Sequence, residues 1–462
     1  MRFYDLDVHV KHKPPLAPEF LPYYAFMTAY ERSVEQHGGK KLAIVLRDGL
    51  RTHICETEIH GKKDWMRTDR LYVERLVKTL LWMKGGCSIA ICGDHQTGEY
   101  IASVYAKDGK RAFDADFMSN VYNRPFTVQS VSYGEKPRES ERPALVGGNL
   151  KGCRIGFDAG GSDRKVSAVV DGETIFSEEV VWHPKLHDDP DYHYREIVGA
   201  LKKAASMMPR VDAVGISSAG IFADNLCKAA SLFIKVPREL FVEKVQDIYL
   251  RACKEIGSMP VMVCNDGDVA ALAGALDLGV KNILGIAMGT SEAGGYLDNR
   301  GCIMGWLNEL AFMPVDLSEN GTLDEWSGDR GCGVKYFSQD AAIKLAGRAG
   351  IAFQSGMSPA EKLSAIQKLS EADDPRACEI FESIGVYLGY GIALYHRLYG
   401  MEHLLLLGRV MSGKGGNQIV KTAKKILGDE YPLIAEQVQI HLPEENSRRL
   451  GQSVAAASLP VI

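Results

Sequence analysis

Two glycine-rich turns hold the residues of this chain best suited to chemistry. The first is Gly156-Phe-Asp-Ala-Gly-Gly-Ser-Asp163 and the second Met288-Gly-Thr-Ser-Glu-Ala-Gly-Gly295, each entered from a short apolar run. Glycine lets backbone amides approach an anion with no Cβ in the way, so two such turns can hold one polyphosphate. In the first, Gly160, Gly161 and Ser162 offer amides and a hydroxyl to phosphate, and Asp158 can hold a hydrated Mg2+ ion. Gly289, Thr290, Gly294 and Gly295 repeat the device. Between the turns lies Cys264-Asn265-Asp266, where Asp266 can take the proton of a substrate hydroxyl and Asn265 can hydrogen-bond a neighbouring one. The chemistry these types suit is phosphoryl transfer, which asks for in-line placement and charge neutralisation more than for a strong base.

The same types also have plain structural uses. Glycine turns join strands to loops in many folds, and an Asp before an alanine-rich helix is a common cap. Neither turn ends in Gly-Lys-Ser/Thr, which disfavours a P-loop, and neither is a Gly-x-Gly-x-x-Gly dinucleotide fingerprint.

With 462 residues, 46% of them hydrophobic, the chain can form two or three domains with real cores. Its 54 basic and 59 acidic residues are mixed along the sequence, for a net charge of -5, and make no basic block for a nucleic-acid surface. Ten scattered cysteines, mostly in apolar stretches, suggest buried thiols in a reducing compartment. No signal peptide or bilayer-length apolar run is evident, so the expected location is the cytoplasm, with no membrane partner.

The elements that must position these residues follow from periodicity and turn chemistry. Residues 1–150 read as a separate α+β block. It has a hairpin, Leu42–Leu46 with Thr52–Cys55 around Asp48-Gly49, a helix over 69–84 and a strand over 88–92. A linker is expected over 132–140. Beyond it come a strand 154–157, a hairpin 166–170 with 174–176, a helix 192–207 and strands 211–216 and 261–263. A helix 269–278 and a strand 283–288 lead to the second turn. A long helix 380–398, a strand 404–407, a strand-like end at 438–440 and a last helix near 447–457 complete the reading. Strands alternating with helices predict a mixed sheet flanked by helices.

These motifs resemble the sugar kinase, Hsp70 and actin superfamily, and most closely its ROK branch of sugar kinases and sugar-responsive repressors. The likeness covers roughly residues 151–462. Asp158–Ser162 matches the first phosphate segment, Asn265-Asp266 the catalytic segment, and Gly289-Thr290 with Gly294-Gly295 the second phosphate segment. Leu404–Met411, with Gly408, matches the adenosine segment, and Arg449–Ala455 the terminal helix. The resemblance implies a two-lobed, actin-like α/β ATPase fold with an ATP cleft, extended by an N-terminal α+β domain. It implies an accessory domain over 1–150, a first lobe over 151–278, a second over 279–440, and a terminal segment, 441–462, returning to the first.

The departures from the family pattern are specific. Its usual Glu-x-Gly-His reads Glu309-Leu-Ala-Phe312 here, so Glu309 can bind a substrate hydroxyl but Phe312 cannot ligate zinc. Of its cysteine-rich segment only Cys332 remains, and a sugar-contacting glutamate is Val334. A lone thiol cannot rebuild a four-ligand zinc site, so the family's zinc is not expected. Asp163 and Glu292 add negative charge at the turns, to be offset by Mg2+, Arg164 or Lys165 or else turned to solvent. His183, His187 and His193 could hold a metal or belong to a structural loop, Asn225 is a weaker substrate contact, and Tyr387 and Tyr395 are packing residues or an adenine wall.

The expectation is an ATP- and Mg2+-dependent kinase acting on a hydroxyl of a sugar or related polyhydroxylated molecule, as a homodimer, without nucleic acid. Two alternatives stay open: a sugar or nucleotide sensor that has lost turnover, and an activator-type ATPase using the same cleft.

Overall fold

The computed structural model describes residues 2–141, 147–442 and 451–462. The chain folds as two compact units. The first comprises Met1–Arg142, Ile286–Ala293 and Trp306–Leu442, and the second Pro143–Gly285, Gly294–Gly305 and Pro443–Ile462.

The second unit is built on a five-stranded sheet ordered Val261–Asn265, Ala213–Ser218, Cys153–Ala159, Asp163–Val170, Glu173–Val181. The first three strands run parallel; the last two add antiparallel. The hairpin closes through Asp171 and Gly172, both at positive φ (48° and 89°), as a two-residue turn requires. Ile155, Phe157, Val166, Ala168, Val214 and Ile216 bury one face of this sheet against the helices Pro190–Ala205 and Ile248–Lys254.

The terminal helix, Gln452–Ala457, lies across the other face where the parallel strands carry Gly156 and Gly215 side by side. A Cβ at Gly156 would stand 1.6 Å from the Ser453 carbonyl oxygen, and one at Gly215 1.7 Å from that of Ala456. The two glycines therefore make the trough in which the helix sits. Ser453 also bonds Ser167 at 2.8 Å. The part of the expected terminal helix over 447–450 lies outside the described residues.

In the first unit, the N-terminal block carries a four-stranded sheet ordered Thr52–Ile59, Lys40–Arg47, Ser88–Cys92, Thr127–Val131. The expected hairpin forms around Gly49 at φ 101°, and Asp48 accepts from the amides of Leu50 and Arg51. The helix expected over 69–84 runs from Met66 to Lys84 and stops at Gly85, φ 86°. The segment read as a linker is tied back to the sheet: the Thr52 amide donates to the Ser140 carbonyl at 3.0 Å, and His53 meets Glu141 at 2.7 Å.

This block packs with the later chain inside the same unit. The Tyr23 amide donates to the Val315 carbonyl, the Leu21 amide to Asp316, and the Phe20 ring lies 4.7 Å from that of Tyr387. Tyr387 is thereby a packing residue.

The long helix is Pro375–Tyr399, five residues longer at its start than expected. Asp374 caps it by accepting from the Arg376 amide, Pro375 occupies its first position, and Gly400 ends it in the left-handed region. Among the described residues this helix is long and apolar enough to cross a membrane, and most of its apolar stretch is buried within the protein. The expected strand at 438–440 is Gln439–His441, paired parallel with His403–Leu407.

Candidate active site

In the second unit, register gathers the chemistry at one edge of the sheet. Ser217 stands opposite both Asp158 and Cys264, and Ser218 opposite Asn265, so the carboxyl ends of three parallel strands converge. Open α/β sheets bind their ligands outside this edge. The helix expected to begin at Val269 begins at Asp266 instead, because Asn265 caps it by accepting from the Gly267 amide at 2.7 Å. Asp266 thus occupies the first helical position, at the positive end of the helix dipole.

Asp158 is buried and accepts from the Ser217 hydroxyl at 2.7 Å. Burial pushes its carboxyl up to about 6; Asp266 adds to the rise, while Ser217 and the opposed Lys165 hold it back. Burial also raises Asp266, against a bond from the Gly267 amide. Gln452 ties the group together, donating to the Ser217 hydroxyl and to the Asp266 carbonyl, both at 3.0 Å. Ser217 and Gln452 were not singled out from the sequence; only the family position of the segment around Gln452 could have flagged either.

The Asp158 shift has a signed consequence. Its folded value lies above its ordinary 3.8. The stability it contributes is therefore fully present below about pH 4 and lost as pH rises through 6. Asp158→Asn is expected to leave the thermal midpoint unchanged at acid pH and to raise it near neutrality by the equivalent of about 3 kcal/mol. Melting curves at both pH values check this, and equal shifts at the two would contradict it.

The first glycine turn uses part of its backbone internally. The Gly160 amide donates to the Asp163 carbonyl, and the Gly160 carbonyl accepts from the Trp182 ring. Gly161 and Ser162 are the exposed members. Where Gly161 would carry a Cβ, the Lys185 ammonium is 3.5 Å away, so a cation stands beside the turn. Arg164 does not supply it: it is buried and paired with Glu196 at 2.9 Å. Lys165 reaches toward Asp163 and Glu179 at 4.0 and 3.6 Å.

Other expected residues have structural partners. Asn225, at φ 62°, donates to the Val261 carbonyl and accepts from the Val263 amide, bracing the strand that ends in Asn265. The Asn265 side chain donates to the Gly220 carbonyl at 2.7 Å. Gly294 and Gly295 are buried strand residues, and a Cβ on Gly295 would stand 2.1 Å from the Gly267 carbonyl oxygen. Their role is to let the helix start that carries Asp266 come close. Of the three histidines, His193 is fully buried with its ring nitrogens 3.0 and 3.2 Å from the Pro184 and Asp189 carbonyls, and His187 stacks on Tyr192.

In the first unit, Gly289 donates to the Ser291 carbonyl, while Thr290 and Ser291 are exposed. Glu292 is not turned to solvent. It is 3% exposed, accepts from the Tyr395 hydroxyl at 3.1 Å, and is pushed by burial, with Glu309 adding to it, up to about 8. Near neutral pH the side chain is protonated, which removes the repulsion its presence in a phosphate turn suggested. Tyr395 accordingly faces this carboxyl. Gly408, at φ 94°, sits so close to Met288 that a Cβ would lie 2.4 Å from its carbonyl oxygen.

Glu309 begins the short turn Leu310–Phe312, and its amide donates to the Trp82 carbonyl at the end of helix Met66–Lys84. Phe312 stacks on Trp82 with ring centres 4.3 Å apart, beside Phe113 and Phe117. Cys332 is a buried thiol pushed up to about 12 by burial. Among the described residues, the cluster of potential metal ligands is His53, Glu139 and Glu141, which does not include Cys332.

The donor set fits a magnesium nucleotide. Hard oxygen donors at Asp158, exposed amides and a hydroxyl at Gly161 and Ser162, and the Lys185 cation suit polyphosphate and its metal. At Gly289 a Cβ would meet nothing nearer than 3.9 Å, so backbone there is open to approach.

Mixed sheets flanked by helices, with two acids at the ends of parallel strands that flank the strand of Ser217, define an α/β protein consistent with the actin-like ATPase superfamily. The chain belongs to the ROK family, whose model matches residues 154–454. Among solved structures it is similar to a ROK family transcriptional regulator described as a homolog of the E. coli MLC protein, at 16% identity and a TM-score of 0.54, covering 67% of this chain and 79% of that one. It is also similar to a ROK hexokinase from Thermus thermophilus, at 18% identity and a TM-score of 0.51, covering 66% and 96%. No curated protein matches the chain.

Proposed function

We propose that this protein is an ATP- and Mg2+-dependent kinase that phosphorylates a hydroxyl of a sugar or related polyhydroxylated molecule. The observation that carries the proposal is the convergence of Asp158, Ser217 and Asp266 at the carboxyl ends of three parallel strands, with Gln452 bridging them. Family membership supports it, and the hexokinase name of one structural relative agrees with it. The proposal takes in the two-lobed actin-like class, residues 1–150 as an accessory domain, and assembly as a homodimer.

In this reading Asp158, Gly161, Ser162 and Lys185 of the second unit hold the magnesium nucleotide. The bound nucleotide supplies the transferable phosphoryl group, and its metal neutralises charge. Asp266 accepts the proton of the acceptor hydroxyl on its carboxylate, and burial, by raising that group, makes it a better base. Asn265 and Gln452 fix the backbone that carries it, Asn225 steadies the strand behind it, and Glu309 receives an acceptor hydroxyl. Val334, where a carboxylate is usual, leaves the ordinary hexose pocket short of an acceptor. The chain also dispenses with the family's zinc: Phe312 is held by aromatic packing instead, and Cys332 is the lone thiol of the segment.

The test is a panel of sugars, amino sugars and polyols, with ATP consumption followed beside the mass of the product. The expected result is a stoichiometric gain of one phosphoryl group on one class of acceptor. Tight acceptor binding without turnover would favour a sensor, and ATP loss without a phosphorylated product an activator-type ATPase.

A further inference from the structure

Glu292 opens the strand Glu292–Leu297, three residues after Gly289 of the second glycine turn. One of its oxygens is accounted for: Oε1 accepts from the Tyr395 hydroxyl, which is buried on helix Pro375–Tyr399. The other, Oε2, is buried and has no hydrogen-bond partner. A buried oxygen left unpaired is costly, and an ionised one more so, which makes its surroundings informative.

A Cβ on Gly333 would stand 2.3 Å from Oε2 and 2.6 Å from the Leu310 carbonyl oxygen. The two oxygens therefore border the same small space, which exists because residue 333 has no side chain. The Leu310 carbonyl spends one lone pair on the Met313 amide at 3.0 Å and keeps a second. Two acceptor oxygens on one space repel each other unless a proton lies between them, and the neutral acid form of Glu292 carries one. Because Oε1 accepts from Tyr395, that proton belongs on Oε2. Among the described residues the titratable groups acting on Glu292 are Tyr395 and Glu309, so no cation favours the ionised form. The surroundings are themselves anchored: the Gly333 amide donates to the Met313 carbonyl, and the Gln339 amide to the Gly289 carbonyl, both at 2.9 Å.

We infer that Glu292 is a positioning residue: its Oε2 hydroxyl donates to the Leu310 carbonyl and ties the turn that follows Glu309 to the second glycine turn. The consequence for an acceptor hydroxyl at Glu309 rests on the kinase reading; the bond itself does not. Burial, with Glu309 adding to it, pushes the Glu292 carboxyl up to about 8, so the bond is present at neutral pH. Loss of the proton sets two acceptors against each other and displaces the turn, and with it Glu309.

The bond is read first, without any acceptor. With leucine carbonyls and alanine nitrogens isotope-labelled in the full chain, the NMR signal of the Leu310–Ala311 peptide is identified by its absence from Leu310→Met. In the parent it is expected to move as pH rises through about 8. In Glu292→Gln it is expected to hold still, because the amide donates to the same carbonyl and does not titrate. A parent signal that does not move, or one that moves equally in Glu292→Gln, would overturn the inference. Kinetics then read the consequence. Glu292→Leu is expected to raise the acceptor KM about ten-fold with kcat within about three-fold, and Glu292→Gln to keep both within about three-fold of the parent. The parent's acceptor KM is expected to rise above pH 8 while that of Glu292→Gln stays level. An unchanged KM in Glu292→Leu, or an equal alkaline rise in Glu292→Gln, would also sink it, and the Gln comparison decides the matter if the Leu variant does not fold. A parent that phosphorylates no acceptor removes the kinase reading and leaves the bond to be decided by the NMR signal.

Discussion

Asp266→Asn is expected to lower kcat for acceptor phosphorylation by about 10²- to 10⁴-fold, the usual contribution of a positioned general base. The substitution is nearly isosteric and removes only the ability to accept a proton. The local fold does not depend on that carboxylate's charge, because Asn265 supplies the cap by accepting from the Gly267 amide at 2.7 Å. The Gln452 bridge reaches the Asp266 carbonyl, which the substitution leaves in place. Nucleotide and acceptor affinities should therefore change by less than about three-fold while turnover collapses, the split expected when an interaction made in the transition state is lost. Single-turnover measurement of product beside equilibrium binding of both substrates separates the two effects. Turnover within about ten-fold of the parent would remove Asp266 from the catalytic role.

Asp329→Asn is expected to cost about 3–5 kcal/mol of stability in the first unit, the usual result of breaking a buried charge network from one side. Asp329 meets Arg75 at 2.9 Å, Arg111 at 2.8 Å and Lys78 at 3.2 Å, and all four side chains are buried. Glu74 answers Arg75 and Arg111, and Asp114 answers Lys78, so three acids balance three cations. Burial raises the Asp329 carboxyl, but Arg75 and Lys78 outweigh it and bring it down to about 2. Removing that charge leaves three buried cations facing two acids. A charge-balanced double substitution, Asp329→Leu with Arg111→Leu, should lose less than Asp329→Asn alone, since buried pairs replaced on both sides are often neutral. Thermal and urea unfolding of the single and double variants measure this. A loss below about 1 kcal/mol for the single variant would show that the network does not hold this segment.

The second prediction bears on the site as well as on stability. Asp329 lies in the stretch where the family places its cysteines, and its partners come from helix Met66–Lys84 and from Arg111, at the start of helix Ala112–Tyr122. The same helices provide Trp82, Phe113 and Phe117 around Phe312, and the Trp82 carbonyl accepts from the Glu309 amide. The N-terminal block is thus a scaffold for residues 308–333. Loosening it by Asp329→Asn should raise the acceptor KM through Glu309.

The secondary structure was largely legible because its signals are short-range. The strand Ser88–Cys92 has the expected limits, and the hairpin around Asp171-Gly172 follows from a turn that only such residues enter easily. The ends of helices were less legible. The sequence places Asp266 before a helix starting at Val269, and the structure starts that helix at Asp266, which puts its carboxylate at the helix start. The long helix begins at Pro375 because an Asp-Pro pair that looks like a breaker is a cap followed by a favoured first residue.

The sequence by itself determined the glycine turns, the Asn265-Asp266 pair, the run of strands and the ROK resemblance, since each depends on residue types within a few positions of one another. Only the tertiary structure decided which of those residues keep groups for chemistry. Asn225 and Gly295 are engaged in packing and bracing, while Ser217, Lys185 and Gln452 join the site. It also decided that Glu292 is buried and protonated, and that Phe312 is held by aromatic rings from a block with no family likeness. The reason is separation along the chain. Gln452 bonds Ser217 across 235 positions and Arg75 bonds Asp329 across 254. No local periodicity or turn preference carries information over such distances; it resides in the packing of the whole unit.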